Sequence, residues 1–465
     1  QRNVIFPLDN RHFITDMKNM TKGKPLKLIF LFALPLMLGN ILQQLYTMVD
    51  TMIVGQFLGV NALASLGAAD WINWAILGIV MGFTQGFSIR ISRTFGAEDY
   101  GNMKKSMHMI FFLCAFFSIL TTVVAELSIV PLLNLLNTPS NVIQGSITYL
   151  RIMSGGLTIT MFYNCFSSIL RSLGDSRTPL LAMIGGAITN ICLDLLFVVI
   201  FKWGIAGAAI ATLLAQFLTT LFCLYMLKKE LPFKLELTKF KFEKKIIKNL
   251  LQLGSPLAFQ NLIISIGGIM VQSVVNRFGF LFIAGFTATN KLYGLLEVAA
   301  ISFGYAITTF NSQNLGAGQY ERIKKGVAQA AFLSFCTSVI IGSSMVLFGK
   351  HILLLFISGT PDQINKVLTI SYKYLFIMAV CLPILYMLHS YRSALQGMEN
   401  TFIPMVSGIV ELVIRISVAL IFPIFLGQNG IYLAEVLAWT GAAVLLYISY
   451  KIKIHALLKG NSEMA

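Results

Sequence analysis

Apolar residues along this chain neither alternate nor keep to one helical face. They fill long runs, most of twenty residues or more, separated by short polar stretches. A run of about 20 apolar residues crosses a hydrocarbon core as an α-helix, because a helix closes its own backbone hydrogen bonds where no water is available. Twelve such runs occur, near 28–54, 62–91, 106–128, 144–170, 180–201, 205–227, 248–275, 283–313, 327–356, 370–394, 402–425 and 428–450. The connections leave no room for a soluble domain. The pattern therefore predicts an all-α integral membrane protein with twelve transmembrane helices.

Composition agrees: of 465 residues, 56% are hydrophobic and 12% charged, about half the charge a soluble chain carries. The net charge of +16 could indicate nucleic acid, but its distribution argues for topology instead. With an even number of spans both termini share one side, and that side collects 25 of the Lys and Arg residues against six on the other. Lys22, Lys24 and Lys27 precede the first span, Lys104 and Lys105 follow the second, and Lys228, Lys229, Lys244, Lys245 and Lys248 flank the middle of the chain. Arg392 is counted there too. Excess Lys and Arg marks the cytoplasmic side, so both termini are expected in the cytoplasm of a cell membrane, that of a bacterium, with no nucleic-acid partner. The six cysteines all lie in apolar runs without CxxC spacing and read as space-filling thiols. Residues 1–24 are expected to form a disordered tail, with "MTKGKPLKLIF" from Met20 reading like a natural start.

The chain is doubled. "GAEDYGNMKKS" (96–106) returns as "GAGQYERIKKG" (316–326), and Pro35 and Asn40 return as Pro256 and Asn261. "LRSLGDSRTP" (170–179) matches "LQGMENTFIP" (395–404), and "GIAGAAIATLLA" (204–215) matches "GQNGIYLAEVLA" (427–438). These four matches keep their order at offsets of 220 to 225 residues. Six spans per half make the repeats parallel, related by a pseudo-twofold axis along the membrane normal. The expected plan is an N-lobe (25–228), a basic linker (229–247), a C-lobe (248–455) and a short tail (456–465), with two pseudo-symmetric six-helix lobes around a central cleft.

Against this apolar background, acids inside spans stand out: an ionised Asp at bilayer depth costs roughly 2.5–3.5 kcal/mol even on insertion scales. Asp50 continues a stripe with Asn40, Gln43 or Gln44, and Thr47 on one helical face, a face turned to protein or water. "TNICLDLLF" sets Asn190 and Asp194 four apart, again on one face. Thr212 adds a hydroxyl. Two carboxylates, an amide oxygen and a hydroxyl suit a proton or a small hard cation such as Na⁺. By the repeat offsets, Asp50 corresponds to Val271, Asn190 to Arg415, Asp194 to Ala419 and Thr212 to Glu435. The acidic set belongs to the first half alone. In the second half Glu411 and Arg415 are four apart and expected to pair, with Glu435, Lys291 and Glu297 as candidates to join them; Glu297 is also a candidate substrate contact, with Gln43, Gln44 and Thr47. Asp70, toward the far end of span 2, reads as a solvated or hydrogen-bonding group.

The segments "QQLYTMVDTMIVGQFLGVNALASLG", "LRSLGDSRTPLL", "NICLDLLF", "GIAGAAIATLLAQ" and "TTFNSQNLGAG" resemble, in order, the multidrug and toxic compound extrusion (MATE) family. The resemblance runs from about residue 25 to 455. It implies two six-helix lobes and efflux of amphipathic, often cationic small molecules, driven by an H⁺ or Na⁺ gradient without another cofactor, by a chain expected to work as a monomer. It also places the family's N-lobe cation site on Asp50, Asn190, Asp194 and Thr212. The chain departs from some members in lacking an acid in "FALPLMLGN" of span 1, and from others in carrying Gln260 and Gln272 but no acid on span 7, and no acid on span 10. A lipid-linked oligosaccharide flippase of the same superfamily is the alternative; it would line its cleft with Arg and Lys to meet a pyrophosphate. Neither HExxH, GxSxG nor GxxxxGK[ST] occurs, which argues against a membrane enzyme or an ATP motor.

Overall fold

The computed structural model describes residues 19–233, 242–357 and 360–462. The start of the expected tail (1–18), the middle of the basic linker with Lys234, Lys239 and Lys241, and the last three residues lie outside the described residues. Among the described residues there are thirteen α-helices and no strand. The first half contains α1 (Pro25–Leu58), α2 (Val60–Gly96), α3 (Tyr100–Leu135), α4 (Ser140–Gly155), α5 (Leu157–Ser172), α6 (Arg177–Asp194) and α7 (Gly204–Glu230). The second contains α8 (Lys244–Val275), α9 (Phe280–Gly316), α10 (Tyr320–Leu354), α11 (Pro361–Gly397), α12 (Phe402–Leu426) and α13 (Asn429–Ser462).

Eleven of these helices are individually long and apolar enough to cross a membrane. The fourth run instead splits at Gly156 into α4 and α5, 16 residues each, too short to cross alone. A Cβ on Gly156 would overlap the side chain of Leu213 on α7, so the glycine admits that neighbour at the break. Together α4 and α5 supply the twelfth span. The second irregularity follows α6, where Leu195–Ile200 widens into a π-helical turn directly after Asp194. The cysteines are free; Cys114, Cys165 and Cys223 are buried, as expected of packing thiols, whereas Cys192 is exposed on the flank of α6.

Helices α1–α7 pack into one lobe and α8–α13 into the other, and the lobes meet where α1 faces α9 and α2 faces α8 and α9. The repeated residues explain why these helices meet. Asn40 donates from Nδ2 to Ser302 Oγ at 3.1 Å, and its repeat mate Asn261 donates to the Gly78 carbonyl at 2.9 Å. Gly82 and Gly86 of α2 lie against the backbone of α8 at Ala258 and Gly254, with no space for a Cβ. The glycines of the repeated "GA" pair do the same at the helix ends. A Cβ on Gly96 would enter the Gln313 backbone, and one on Gly316 would enter the Arg93 backbone.

Further latches lie on the same side, the side carrying both termini. Arg93 pairs with Glu399, Arg90 Nη1 donates to Asn249 Oδ1 at 2.5 Å, and the Arg171 guanidinium lies over Tyr305. Gln313, from the buried "TTFNSQNLGAG" stretch, donates from Nε2 to the Ser172 carbonyl across the interface and accepts from the Met20 N–H. Met20 is fully buried, and its carbonyl accepts from Asn314 and Arg322, so the segment entering α1 is fastened at this junction. The cross-lobe hydrogen bonds thus lie at mid-depth or toward the termini. Replacing Gly96 with Val should force α2 and α9 apart at this seam. Disulfide formation between cysteines placed at Arg93 and Glu399, in a background without the natural cysteines, should then fall several-fold; unchanged cross-linking would show that the seam does not depend on that close approach.

Candidate functional site

The four residues singled out in the N-lobe come together. Asp50 reaches from the outer third of α1, and Asn190 and Asp194 from the last turn of α6, where α1 packs along α6 and the π turn. The carboxyl groups of Asp50 and Asp194 lie within hydrogen-bonding reach of each other. Asp194 is fully buried and Asn190 nearly so. Asn190 bridges to α7: in one amide orientation its nitrogen donates to Thr212 Oγ1 at 3.3 Å. In the other, which satisfies both ends, the nitrogen donates to Asp194 Oδ2 at 3.2 Å and the oxygen accepts from the Thr212 N–H at 3.3 Å. The Thr212 hydroxyl donates to the Ala208 carbonyl at 3.1 Å, so its oxygen serves the site as an acceptor.

One oxygen of each carboxylate, Asp50 Oδ1 and Asp194 Oδ1, is buried without any hydrogen-bond partner. Buried acceptors are ordinarily satisfied, and two buried carboxylates in contact repel each other when both are ionised. No Lys or Arg forms an ion pair with either among the described residues. The arrangement has room in its charge balance for one small cation or a proton. No cluster of three or more His, Cys, Asp or Glu that could hold a metal occurs among the described residues, so any ion would meet two carboxylates, an amide and a hydroxyl, a hard-oxygen set suited to H⁺ or Na⁺. The π turn beside Asp194 went unseen in the sequence because "LLFVVI" is an unremarkable apolar run; such turns are common at functional sites.

In the C-lobe the expected Glu411–Arg415 pair forms, Nη2 to Oε2 at 3.9 Å, and Glu411 has a closer partner in Arg392 of α11. Arg415 pairs with Glu435 of α13 at 2.8 Å. Arg392 also donates to Ser407 Oγ at 3.2 Å. All four charges are largely buried, and they tie α11, α12 and α13 into a neutral chain of alternating sign. Lys291 does not belong to it: the side chain is exposed and forms no ion pair among the described residues. Glu297 pairs instead with His389 of α11, Oε1 to Nε2 at 3.1 Å, both partly accessible. Arg392 was missed because the predicted end of span 10 fell just beyond it, which assigned it to the cytoplasmic charge.

Of the remaining candidates, Gln43 and Thr47 are exposed and Gln44 partly so, with Gln44 Nε2 close to Gly294 of α9 across the cleft. The stripe on α1 therefore faces the C-lobe at the level of Glu297, one turn beyond Gly294. Asp70 is exposed, as expected of a solvated group. Removing the Glu411 charge leaves Arg392 with only a serine in a low-dielectric interior, and stranding one partner of a buried pair costs about 3–5 kcal/mol. Glu411→Gln should accordingly lower the melting temperature and yield of the purified protein sharply. Asp194→Asn, which removes a buried charge that has no basic partner, should leave stability level or raised.

Comparison with known proteins follows the two-lobe division. The MatE family model matches residues 35–196 and again 256–421, once in each lobe. The chain is 30% identical over 439 residues to a probable multidrug resistance protein, YpnP of Bacillus subtilis, covering 93% of this chain and 96% of that one. The crystal structure of a MATE protein in complex with MaL6 superposes with a TM-score of 0.89 at 25% identity, over 96% of this chain and 100% of that one. An outward-facing conformation of a multidrug resistance MATE family transporter superposes with a TM-score of 0.88 at the same identity and coverage. With the family model matched in both lobes and the fold shared along nearly its whole length, the chain belongs to the MATE family of multi-pass membrane transporters.

Proposed function

We propose that this protein is a cation-coupled antiporter that exports amphipathic, often cationic small molecules across the cell membrane by alternating access. The observation that carries the reading is the pair of buried, partnerless carboxylate oxygens on Asp50 and Asp194. A relative named as a probable multidrug resistance protein supports the substrate class. The basic face that carries both termini is read as cytoplasmic; the lobes are latched there, and on this reading the cleft opens to the outside, where the driving gradient would supply H⁺ or Na⁺.

The mechanism follows from charge. Empty, the Asp50–Asp194 pair keeps two like charges in contact and favours parting of α1 from α6 and α7, which widens the N-lobe pocket for a cationic substrate. A bound proton or Na⁺ relieves the repulsion, lets Asn190 and Thr212 close on the ion, and draws α1 inward past the space the substrate occupied. The π turn beside Asp194 gives the chain a place to rewind without breaking α6. Ion and substrate then compete through the same two carboxylates, and the competition is reciprocal by linkage. Release of the ion to the cytoplasm resets the lobe. Glu297, Gln43, Gln44 and Thr47 line the cleft on the route between the lobes. The flippase reading fares less well because both buried arginines of the C-lobe are already paired with glutamates, leaving neither free for a pyrophosphate.

In proteoliposomes with imposed H⁺ or Na⁺ gradients, Asp50→Asn and Asp194→Asn should each abolish gradient-driven movement of a fluorescent organic cation while the protein elutes as a folded monomer. With purified parent protein, lowering pH, or adding Na⁺ if Na⁺ couples, should weaken equilibrium binding of the same cation, and the double variant should lose that dependence. Substrate affinity that is flat with both pH and Na⁺ in the parent would sink the antiport mechanism. Orientation is tested by thiol labelling: a cysteine at Lys244 should react only from the cytoplasm and one at Asn137 only from outside, and the reverse pattern would invert the transport direction.

A further inference from the structure

The two lobes carry the same three-helix corner with opposite charge inventories. In the N-lobe it is built by α1, α6 and α7, and in the C-lobe by their repeat mates α8, α12 and α13. Asn190 of the N-lobe corresponds to Arg415, Thr212 to Glu435, Asp50 to Val271 and Asp194 to Ala419. The Arg415 guanidinium therefore lies where the N-lobe gathers its ion ligands. It is flanked by two carboxylates, Glu435 at 2.8 Å and Glu411 at 3.9 Å. Room for it is made on α8: a Cβ on Gly267 would stand 3.1 Å from Arg415 Nη1. The N-lobe residue matching Gly267 is Tyr46, so this gap is particular to the C-lobe. The unsatisfied buried atoms also differ in kind. In the N-lobe corner they are acceptors, Asp50 Oδ1 and Asp194 Oδ1; in the C-lobe corner it is a donor, Arg415 Nε.

We infer that the Arg415 guanidinium is a tethered counterpart of the coupling cation: it fills the C-lobe equivalent of the N-lobe ion site, holds α8, α12 and α13 in the ion-loaded packing, and confines ion exchange to one site per chain. This rests on the proposed role of Asp50 and Asp194. The N-lobe corner holds two carboxylates and no base; the C-lobe corner holds Glu411 and Glu435 with Arg415 between them and Arg392 completing neutrality. A covalent cation cannot leave, so the C-lobe carboxylates are closed to H⁺, Na⁺ and substrate alike. The corollary is a latent site. Without Arg415 the same two glutamates become ligands for a small diffusible cation or for the ammonium of a substrate.

The test uses full-length protein carrying Asp50→Asn and Asp194→Asn, which silences the N-lobe. Equilibrium binding of a fluorescent organic cation is measured at constant ionic strength and pH, with methylguanidinium or Na⁺ exchanged for choline. In this background affinity should not change with the small cation. Adding Arg415→Gln should restore the dependence, with methylguanidinium weakening substrate binding about tenfold, within the usual range for coupled sites. Adding Glu435→Gln as well should abolish it again. An Arg415 residue that only cross-braced the helices would yield a less stable protein whose affinity stays flat, and that result would overturn the inference. If Arg415→Gln does not yield folded protein, Arg415→Lys decides: the retained charge should preserve folding and the flat response. Loss of folding in Arg415→Lys too would mean that guanidinium geometry, not a fixed positive charge, is what the site needs, and would equally overturn it. Failure of the N-lobe reading is visible separately, as an ion response that is the same in the parent and in the Asp50→Asn, Asp194→Asn protein.

Discussion

A charge placed in a low-dielectric slab must find a counter-charge nearby, and that requirement orders this molecule. The C-lobe meets it internally, with two glutamates and two arginines in a closed chain across α11, α12 and α13. The N-lobe does not meet it at all: Asp50 and Asp194 touch, and no base is paired with them among the described residues. Repulsion between them is left without a basic counter-charge among the described residues. In the proposed cycle it is relieved by an ion or by a cationic substrate, one at a time. That exclusivity would follow from the missing basic partner at the Asp50–Asp194 corner.

The duplicated architecture converts such a local imbalance into movement. Each lobe presents two helices to the other, and the repeated asparagines and glycines make those four helices meet as near-equivalents: Asn40 with Ser302 and Asn261 with Gly78, Gly96 and Gly316 against each other's neighbouring backbones. Backbone packed on backbone without side chains between has little give, so the seam is either closed or parted. Asp50 lies on α1, one of those four interface helices, ten residues beyond Asn40. In the proposed mechanism a shift of α1 that closes the ion site is also a shift at the seam, carried by the stretch of α1 from Asn40 to Asp50.

The sequence made much of this legible. Helix existence, number and pairing followed from apolar run length and from repeats whose offsets drift by only a few residues, because lipid allows so few alternatives for the backbone. The N-lobe set was legible for the same reason: Asn190 and Asp194 stand four apart and Asp50 continues a polar stripe, on helices otherwise apolar. What escaped lay where geometry, not pattern, decides. The break at Gly156 and the π turn after Asp194 are local windings that leave apolar periodicity untouched. That Arg392 joins Glu411 more closely than Arg415 does depends on a long side chain reaching across from a neighbouring helix, and helical spacing sees only partners on the same helix. The His389–Glu297 contact is of the same kind, since Glu297 lies 92 positions away in the chain.

Asymmetry between the halves is then the most informative feature of the pair. A duplicated bundle begins with two copies of every corner, and two exchangeable ion sites would have to be filled and emptied in step for each substrate moved. Fixing one copy with a guanidinium removes that requirement while keeping the packing that an ion would otherwise have to maintain. The cost of burying Arg415 and Arg392 is met by Glu435 and Glu411 within the lobe and is the same at every stage of the cycle, so it does not oppose transport. On the proposed mechanism the C-lobe is the static half against which α1 moves, and the N-lobe alone carries the charge to be answered from solution.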